Sequence, residues 1–451
     1  MLERRRKVQS ERRLKIIYSP DFFLHVIISE RNIFVMEDKF EVLLTSDSSG
    51  IVCNTTAWDY TTGSSLHQFK GNTSSPNTVC LAGRDYLMSA PPDKPLLNIW
   101  QVNRSEQSPL RLFTPGTVAA MAVSPSGDYL VVAVEENINI WQVGTGALLG
   151  VVTRHYQPVT VLQFTGDSTH LVSGGGDGQV LVWPMVLCVA RRSLPGQERG
   201  EVGTVEPRYT WTDHALPVTG LHVGHGPAHG ARIISSSMDM TVKVYTMTTG
   251  QLLLSVSFTS PITAVVMDNM ETKVYAGTKA GKIHSFSLLN PPRDVAVTVD
   301  SVDSDTMISH TGEVTRLSLS MDGYTLASGG QDSMVHLWDT PSGQVVRSLP
   351  HKGSITHVQF IATPPALINH DKWNPARKLV ALQKGTNQSE FSCAVLRKDD
   401  LGDGQDWMRD DLVRGGGVGE GQGMEEEHTV QELKQINNQL YKFAMKNVLK
   451  S

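Results

Sequence analysis

Hydrophobic and polar residues alternate with a period of two over short stretches along most of the chain, and turns rich in Gly, Asp and Ser separate these stretches. Three segments share one order of features: a His-containing turn, an alternating strand, a turn, a small-residue strand, an Asp turn and a strand ending in an aromatic residue. They end at Trp183, Tyr245 and Trp338. This pattern predicts a repeated β-unit.

Weaker copies of the unit fill the rest of the chain, each with an aromatic residue at the same point. The seven aromatic anchors are Trp58, Trp100, Trp141, Trp183, Tyr245, Phe286 and Trp338. The gaps between them are 42, 41, 42, 62, 41 and 52 residues, and four of the six match the roughly 40–45-residue period of a four-stranded propeller blade. The two long gaps contain polar, loop-like stretches at 190–208 and 290–306. We therefore predict an all-β fold, a seven-bladed WD-repeat β-propeller over residues 39–364.

The ends of the repeat predict how the ring closes. The first blade begins at residues 41–44 and lacks an innermost strand, whereas residues 353–360 repeat the inner-strand pattern after the seventh blade. Radial stacking of blades buries the sheet faces, and closure leaves only short outer edges. We expect residues 353–360 to complete the first blade.

His, Ser and Asp recur at fixed offsets in three blades, with Ser ten and Asp six residues before the aromatic anchor. The three tetrads are His155, Ser173, Asp177 and Trp183; His214, Ser235, Asp239 and Tyr245; and His310, Ser328, Asp332 and Trp338. A catalytic triad needs one copy at a cleft, so three equivalent copies favour a structural role over a catalytic one. We expect Asp to accept a hydrogen bond from His, His to accept one from Ser, and the aromatic N–H to donate into the same chain.

Other motifs that resemble binding sites fit turns better. Residues 277–283 resemble a phosphate-binding loop, but the glycines are too close together and Ile283 stands where Ser or Thr would bind magnesium. Residues 174–176 lack the following helix that a dinucleotide site requires. We identify no convergent carboxylates or histidines on the innermost strands, and we predict no catalytic, cofactor or metal site.

Both ends of the chain depart from the repeat. We expect residues 1–38 to be a disordered extension, in which seven Lys and Arg among residues 1–15 could alternatively contact RNA or act as a nuclear address. Residues 365–424 have the composition of a flexible linker. Residues 425–451 predict an α-helix with a short coiled-coil seam of Val430, Leu433, Asn437, Leu440 and Ala444. The seam favours a homodimer or a partner helix, and the alternative is packing on the propeller itself.

Charge and composition narrow the function. The net charge of −5 argues against a basic nucleic-acid binder. No apolar run reaches the roughly 18–20 residues that span a bilayer, so no membrane partner is expected. These observations favour a protein-interaction platform.

Three runs carry a more specific resemblance: 154–183, 214–222 and 250–258. They resemble the WD-repeat subunit family of the Rix-type pre-ribosome assembly complex, and the similarity extends from about Met36 to the C-terminus. The resemblance implies a non-enzymatic scaffold in large ribosomal subunit assembly and processing of the internal spacer of precursor rRNA, located in the nucleolus and nucleoplasm and also in the cytoplasm. The partners it implies are a proline-, glutamate- and leucine-rich scaffold, a helical-repeat protein, a SUMO protease, the spacer endonuclease, a midasin-type AAA protein and pre-ribosomal particles.

An alternative function is that of a substrate receptor for a ubiquitin ligase, which is a common use of WD propellers. Such receptors often carry Trp-Asp-x-Arg at the ends of blades. The runs that begin at Trp58 and Trp338 lack the Arg, which favours the ribosomal reading.

Overall fold

The alternating stretches form antiparallel strands that are arranged as seven separate sheets. The computed structural model describes residues 25–29, 32–36, 41–50, 53–71, 73–190, 205–226, 230–289, 294–301, 304–368, 373, 375 and 379–383. All of these residues belong to the compact unit Met1–Ser389. The prediction of a seven-bladed, all-β WD-repeat propeller is confirmed, and the predicted C-terminal helix lies outside the described residues.

Each sheet is one blade, with its strands in consecutive order from the innermost strand outward. Blade 1 consists of Ile355–Ala362, Glu41–Asp47, Thr55–Asp59 and Ser64–Phe69, blade 2 of Cys80–Ala82, Tyr86–Ser89, Leu96–Gln101 and Leu112–Phe113, and blade 3 of Ala120–Val123, Tyr129–Val134, Asn137–Gln142 and Leu148–Thr153. Blade 4 consists of Val159–Phe164, His170–Gly175, Val180–Pro184 and Tyr209–Trp211, and blade 5 of Val218–Val223, Arg232–Ser237, Thr241–Thr246, Leu252–Ser257 and Ala296–Thr298. Blade 6 consists of Ile262–Met267, Lys273–Thr278, Lys282–Ser287 and Ser304–Ile308, and blade 7 of Val314–Leu319, Thr325–Gly330, Met334–Asp339 and Gln344–Pro350. Short helices lie at Met185–Ala190 and Pro365–Ile368, with a 3-10 turn at Val299–Ser301.

The ring closes through the strand predicted from the sequence. Ile355–Ala362 pairs antiparallel with Glu41–Asp47, so that Glu41 lies opposite Ala362 and Thr45 opposite Val358. Blade 1 is therefore assembled from the two ends of the repeat region. The predicted closure is confirmed.

The core lies between neighbouring blades, where the apolar faces of adjacent sheets meet. Six of the seven aromatic anchors are fully buried there: Trp100, Trp141, Trp183, Tyr245, Phe286 and Trp338. Burial of a large apolar side chain contributes about 1.5–3 kcal/mol to stability. The anchor spacing that reveals the repeat in the sequence therefore also marks the main packing positions.

Threonines on the innermost strands link one blade to the next, a feature that the sequence analysis did not single out. Each hydroxyl donates to a backbone carbonyl of the following blade: Thr160 to Val218 (2.6 Å), Thr219 to Ile262 (2.7 Å), Thr263 to Val314 (2.5 Å) and Thr315 to Ile355 (2.7 Å). Because a carbonyl has two lone pairs, it can accept this bond in addition to a sheet bond. The bonds form an arc from blade 4 through blade 7 to the closing strand of blade 1.

The structure differs from the sequence-based expectations at three segments. Residues 1–38 were expected to be disordered, but His25–Ser29 and Asn32–Met36 pair as an antiparallel hairpin. The β-branched residues in both runs favour strands. In the loop-like stretch 290–306, Ala296–Thr298 pairs parallel with the outer strand of blade 5, and Ser304–Ile308 begins within it.

The third difference concerns the predicted flexible linker 365–424. Its first residues form the helix Pro365–Ile368, and Trp373, Leu379 and Leu382 pack against the apolar cluster shared by blades 2 and 3. We call Trp373, Pro375 and residues 379–383 the strap. Apolar side chains spaced along a polar sequence allow this segment to dock without forming a regular element.

Candidate functional site

The first tetrad is a continuous chain of hydrogen bonds inside blade 4. Trp183 Nε1 lies 2.9 Å from Ser173 Oγ, and Ser173 Oγ lies 2.8 Å from His155 Nε2. His155 Nδ1 lies 3.2 Å from the Asp177 carboxylate. All donors and acceptors are satisfied if the indole donates to Ser173, Ser173 donates to Nε2 and Nδ1–H donates to Asp177.

Blade 7 repeats this geometry almost atom for atom. The distances are 2.8 Å from Trp338 Nε1 to Ser328 Oγ, 2.7 Å from Ser328 Oγ to His310 Nε2 and 3.0 Å from His310 Nδ1 to Asp332 Oδ2. The side chain of His310 is fully buried, and that of Asp332 is one-tenth exposed.

Blade 5 differs at the aromatic residue. His214 lies 2.7 Å from Ser235 Oγ and 2.9 Å from Asp239 Oδ2, as in the other two blades. Tyr245, however, donates its hydroxyl to Asp213 at 3.0 Å, because a phenol reaches farther than an indole N–H. The expected donation into the chain of the tetrad is thus redirected to a second carboxylate.

Burial and hydrogen bonding set the charge states of these groups. Burial lowers the pKa of His155, and the nearby carboxylate of Asp177 only partly offsets this effect. Burial alone would raise the pKa of Asp239, but hydrogen bonds from His214 and Thr241 hold it well below its usual value. The pKa of Asp332 is lowered in the same way by His310. At neutral pH, His155 is therefore neutral and the Asp239 and Asp332 carboxylates are ionised.

Each tetrad also holds the loop that follows its histidine. The Asp carboxylates accept from the backbone N–H groups of Tyr156 (3.0 Å), Ala215 (3.1 Å) and Thr311 (3.1 Å). These loops, together with the Asp turns beside them, lie on one side of the propeller, which we call the tetrad face. On this face Tyr156 is 78%, Leu216 49% and Met240 41% exposed.

The tetrad face is continuous between blades 4 and 5. A Cβ at Gly178 would lie 2.6 Å from the His214 carbonyl and 3.2 Å from the Leu216 carbonyl, so this turn packs directly against the next loop. Gly178 also has a φ of +75°, which favours glycine. Because aromatic residues and Met are enriched at protein interfaces, this face is the candidate interaction site.

A fourth, incomplete tetrad lies in blade 1 and was missed in the sequence. Trp58 Nε1 donates to Thr45 Oγ1 at 2.8 Å, but His351 Nδ1 lies 3.9 Å from Asp47, which is too far for a hydrogen bond. His351 precedes the closing strand, about 300 residues after its partners in the sequence. The similarity of residues 351–358 to the start of blade 7 was the available signal.

The innermost strands also carry polar side chains that the sequence analysis overlooked. Burial lowers the pKa of both His222 and His357 to about 4. Arg316 lies close enough to His357 to lower that pKa further, and its own pKa falls to about 10 through burial. The expectation of no histidines on the innermost strands is therefore wrong, although the carboxylates needed for acid–base chemistry are not among these three residues.

Two motifs with possible ligand chemistry occupy structural positions. The loop at 277–283 joins the strands Lys273–Thr278 and Lys282–Ser287, as the turn interpretation predicts. His310, Asp332 and His336 have potential ligand atoms within 4.8 Å of one another. Both ring nitrogens of His310 already bond to tetrad partners, so a metal ion would have to displace those hydrogen bonds.

Among the described residues, no helix is long and apolar enough to cross a membrane.

Comparison with known proteins places this geometry in context. The family model "WD domain, G-beta repeat" matches residues 146–184, 205–246 and 303–339, which contain the anchors of the three tetrad blades. The chain is 36% identical to WD repeat-containing protein 18 from Homo sapiens over 74% of this chain and 76% of that protein. It is 32% identical to WD repeat-containing protein 18 from Danio rerio, covering 91% and 98% of the two chains. It is also 26% identical to the pre-rRNA-processing protein crb3/ipi3 from Schizosaccharomyces pombe, covering 68% and 73%.

Proposed function

Because the chain belongs to the family of WD repeat-containing protein 18, we propose that it is a non-enzymatic scaffold subunit of a Rix-type complex. The complex acts in assembly of the large ribosomal subunit and in processing of the internal spacer of precursor rRNA. The observation that carries this proposal is the similarity, over two thirds or more of both chains, to a yeast protein named for pre-rRNA processing.

The tetrads support a scaffold more than an enzyme. The hydroxyls of Ser173, Ser235 and Ser328 belong to residues with no solvent exposure, so a substrate could not reach them without unfolding the blade. The lone pairs and protons of Ser173 are also engaged by Trp183 and His155. We infer that the tetrads position the loops of the tetrad face.

The partners proposed for the scaffold are pre-ribosomal particles and the other subunits of a pre-rRNA-processing complex. The resemblance adds a proline-, glutamate- and leucine-rich scaffold, a helical-repeat protein, a SUMO protease, the spacer endonuclease and a midasin-type AAA protein. This role implies a nuclear and nucleolar location. The ubiquitin-ligase alternative is not favoured, because the relatives point to pre-rRNA processing.

Affinity purification of the tagged full chain from nuclear extract tests the proposal. We expect mass spectrometry to find large-subunit assembly factors, and hybridisation to find precursor rRNA in the same eluate. Depletion of the protein should cause RNA with an unprocessed internal spacer to accumulate. Recovery of cullin-ligase adaptors without pre-ribosomal particles would instead support the alternative function.

Surface variants can then ask which face meets the particle. The double variant Tyr156→Asp and Leu216→Asp places two charges on the tetrad face without touching a tetrad side chain. The matched control, Met270→Asp and Met321→Asp, changes two exposed residues in the turns at the opposite ends of the inner strands (83% and 64% exposed). We expect the first variant to lose most of the co-purified particle and the control to retain it. Equal recovery would contradict the assignment of the tetrad face.

Self-association is proposed separately, through the helix predicted at 425–451 and its seam, which lie outside the described residues. Deletion of 425–451 should leave a folded propeller that sediments as a monomer. A truncated protein that keeps the mass of the full-length assembly would contradict this proposal.

A further inference from the structure

A cavity of about 540 Å³ lies between blade 2 and the strap. Leu110 on the blade side and Pro375 and Leu379 on the strap side give it apolar walls. Tyr86 and Trp373 also line it, with ring centroids 6.3 Å apart in an edge-to-face arrangement. The volume falls in the range of about 300–1,000 Å³ that is usual for ligand-binding pockets.

Two polar atoms in this lining are buried without a hydrogen-bond partner. They are the acceptor Gln101 Oε1 and the donor Trp373 Nε1. A buried polar atom without a partner is costly, so native proteins rarely retain one without a reason. One unused donor and one unused acceptor in the same cavity match a ligand that offers one acceptor and one donor.

The other indoles make the missing bond at Trp373 conspicuous. Every other tryptophan among the described residues donates its N–H, and the acceptors lie in Thr45, Lys70, Gln383, Ser173, Gly250 and Ser328. Three of the acceptors are backbone carbonyls, those of Lys70, Gln383 and Gly250. A backbone carbonyl is thus a frequent partner for an indole in this protein.

Blade 3 shows how a donor and an acceptor together recognise a backbone segment. Trp141 Nε1 donates to the Gln383 carbonyl at 3.0 Å, and the Gln383 N–H donates to the Gly146 carbonyl at 2.8 Å. Both polar groups of one residue in an extended segment are therefore satisfied by a tryptophan and a nearby oxygen. Trp373 and Gln101 offer the same two functions in the cavity beside blade 2.

We propose that this cavity binds an extended peptide segment of a partner protein. A backbone carbonyl of the segment accepts from Trp373 Nε1–H, a backbone N–H donates to Gln101 Oε1, and an aliphatic side chain occupies the apolar part of the cavity. Since none of the described lining residues is charged, a neutral amide suits the site better than a phosphate or a carboxylate. The inference deepens the proposed scaffold function and rests on it, because it gives one site through which a scaffold would hold a partner.

The test uses the purified full chain and the blocked tripeptide acetyl-Ala-Leu-Ala-amide as a probe. Saturation-transfer NMR should show signals from the leucine methyl groups. A set of analogues replaces one backbone N–H at a time by an ester oxygen. One analogue should bind about tenfold more weakly, because it leaves Gln101 Oε1 without a donor. This comparison needs no protein variant and is therefore independent of folding.

Two substitutions assign the contacts. Gln101→Met should weaken tripeptide binding about tenfold and abolish the difference between the amide and that ester, while Trp373→Phe keeps the ring and should also weaken binding about tenfold. Gln142→Met is the matched control, because Gln142 ends the corresponding strand of blade 3 and accepts from Thr145 outside the cavity. It should bind the tripeptide like the wild type.

The inference is overturned if the leucine methyl groups show no saturation transfer up to the solubility limit of the tripeptide. It is also overturned if every ester binds like the amide, or if Gln101→Met preserves the difference between them. The assay contains no ribosomal component. A failed peptide assay with intact recovery of pre-ribosomal particles therefore removes only the cavity inference, whereas peptide binding without particle recovery removes only the proposed function.

Discussion

Blades 4, 5 and 7 differ from blades 2 and 3 in where their buried polar groups find partners. In blades 4 and 7 the indole donates to a serine of the same blade, as Trp183 does to Ser173. In blades 2 and 3 the indole at the equivalent position donates to the backbone of another segment, Trp100 to Lys70 and Trp141 to Gln383.

The consequence appears at Ser89, which occupies in blade 2 the place of Ser173 in blade 4. Ser89 is fully buried, and its hydroxyl has no hydrogen-bond partner, because Trp100 is bonded elsewhere. The same sheet position therefore carries a polar network in one blade and an unused hydroxyl in another. A tetrad blade satisfies these buried polar groups internally, whereas blade 3 depends on the strap to do so.

Removal of the strap should have the largest effect. A chain that ends after residue 368 loses the apolar cover of Trp373, Leu379 and Leu382 and leaves the N–H of Trp141 unpaired. We expect a loss of about 3–5 kcal/mol in the free energy of unfolding. Hydrogen exchange should accelerate in blades 2 and 3 before it does so in blades 4, 5 and 7.

The control for this truncation is a chain that ends after residue 389, which keeps the strap and the whole first compact unit. It should unfold at the same denaturant concentration as the full chain. Equal stability of the two truncated chains would mean that blades 2 and 3 do not depend on the strap.

Ser173→Ala tests the tetrad side of the comparison. The change removes the hydroxyl that both Trp183 and His155 use, so two buried groups lose a partner. We expect a loss of about 2–4 kcal/mol in chemical denaturation. The matched change Ser89→Ala removes a hydroxyl that has no partner and should leave stability unchanged or slightly raised. If the two variants lose equal stability, the polar network contributes nothing beyond packing.

The sequence predicted the tetrad blades better than the others for the same physical reason. A self-contained network places His, Ser, Asp and the aromatic residue at fixed offsets, and the WD-repeat family model matches those blades. Blades 1, 2, 3 and 6 were found from their aromatic anchors and spacing alone. The strap could not be predicted, because Trp373, Leu379 and Leu382 follow neither a period of two nor one of 3.6. The cavity beside blade 2 escaped notice because half of its lining comes from the strap.

Gly330→Ala tests how closely the tetrad of blade 7 is packed. A Cβ at this position would lie 2.4 Å from both His310 Nδ1 and Asp332 Oδ1, and would push apart the pair that holds the loop at Thr311. We expect a loss of about 1–3 kcal/mol in thermal or chemical unfolding. Gly144→Ala is the control, because a Cβ there meets nothing within 4 Å. A neutral Gly330→Ala would show that the tetrad can shift without cost.

His357→Gln should have the smallest effect, and it separates the histidines of the inner strands from those of the tetrads. Burial, together with Arg316, lowers the pKa of His357 to about 4, whereas a histidine in the unfolded chain titrates near 6.5. Between these values the unfolded chain binds a proton that the folded chain does not, so stability falls as the pH drops from about 6.5 towards 4.

In the His357→Gln variant this contribution is absent. The loss of unfolding free energy between pH 6.5 and 5.5 should therefore be smaller by about 1 kcal/mol than in the wild type. Urea denaturation at several pH values measures the slope for each protein. His155→Gln is a poor substitute for this test, since it also breaks the bonds to Ser173 and Asp177 and lowers stability at every pH. An unchanged slope in His357→Gln would mean that His357 takes up its proton in the folded state as readily as in the unfolded chain, and that burial on the innermost strand does not control its charge.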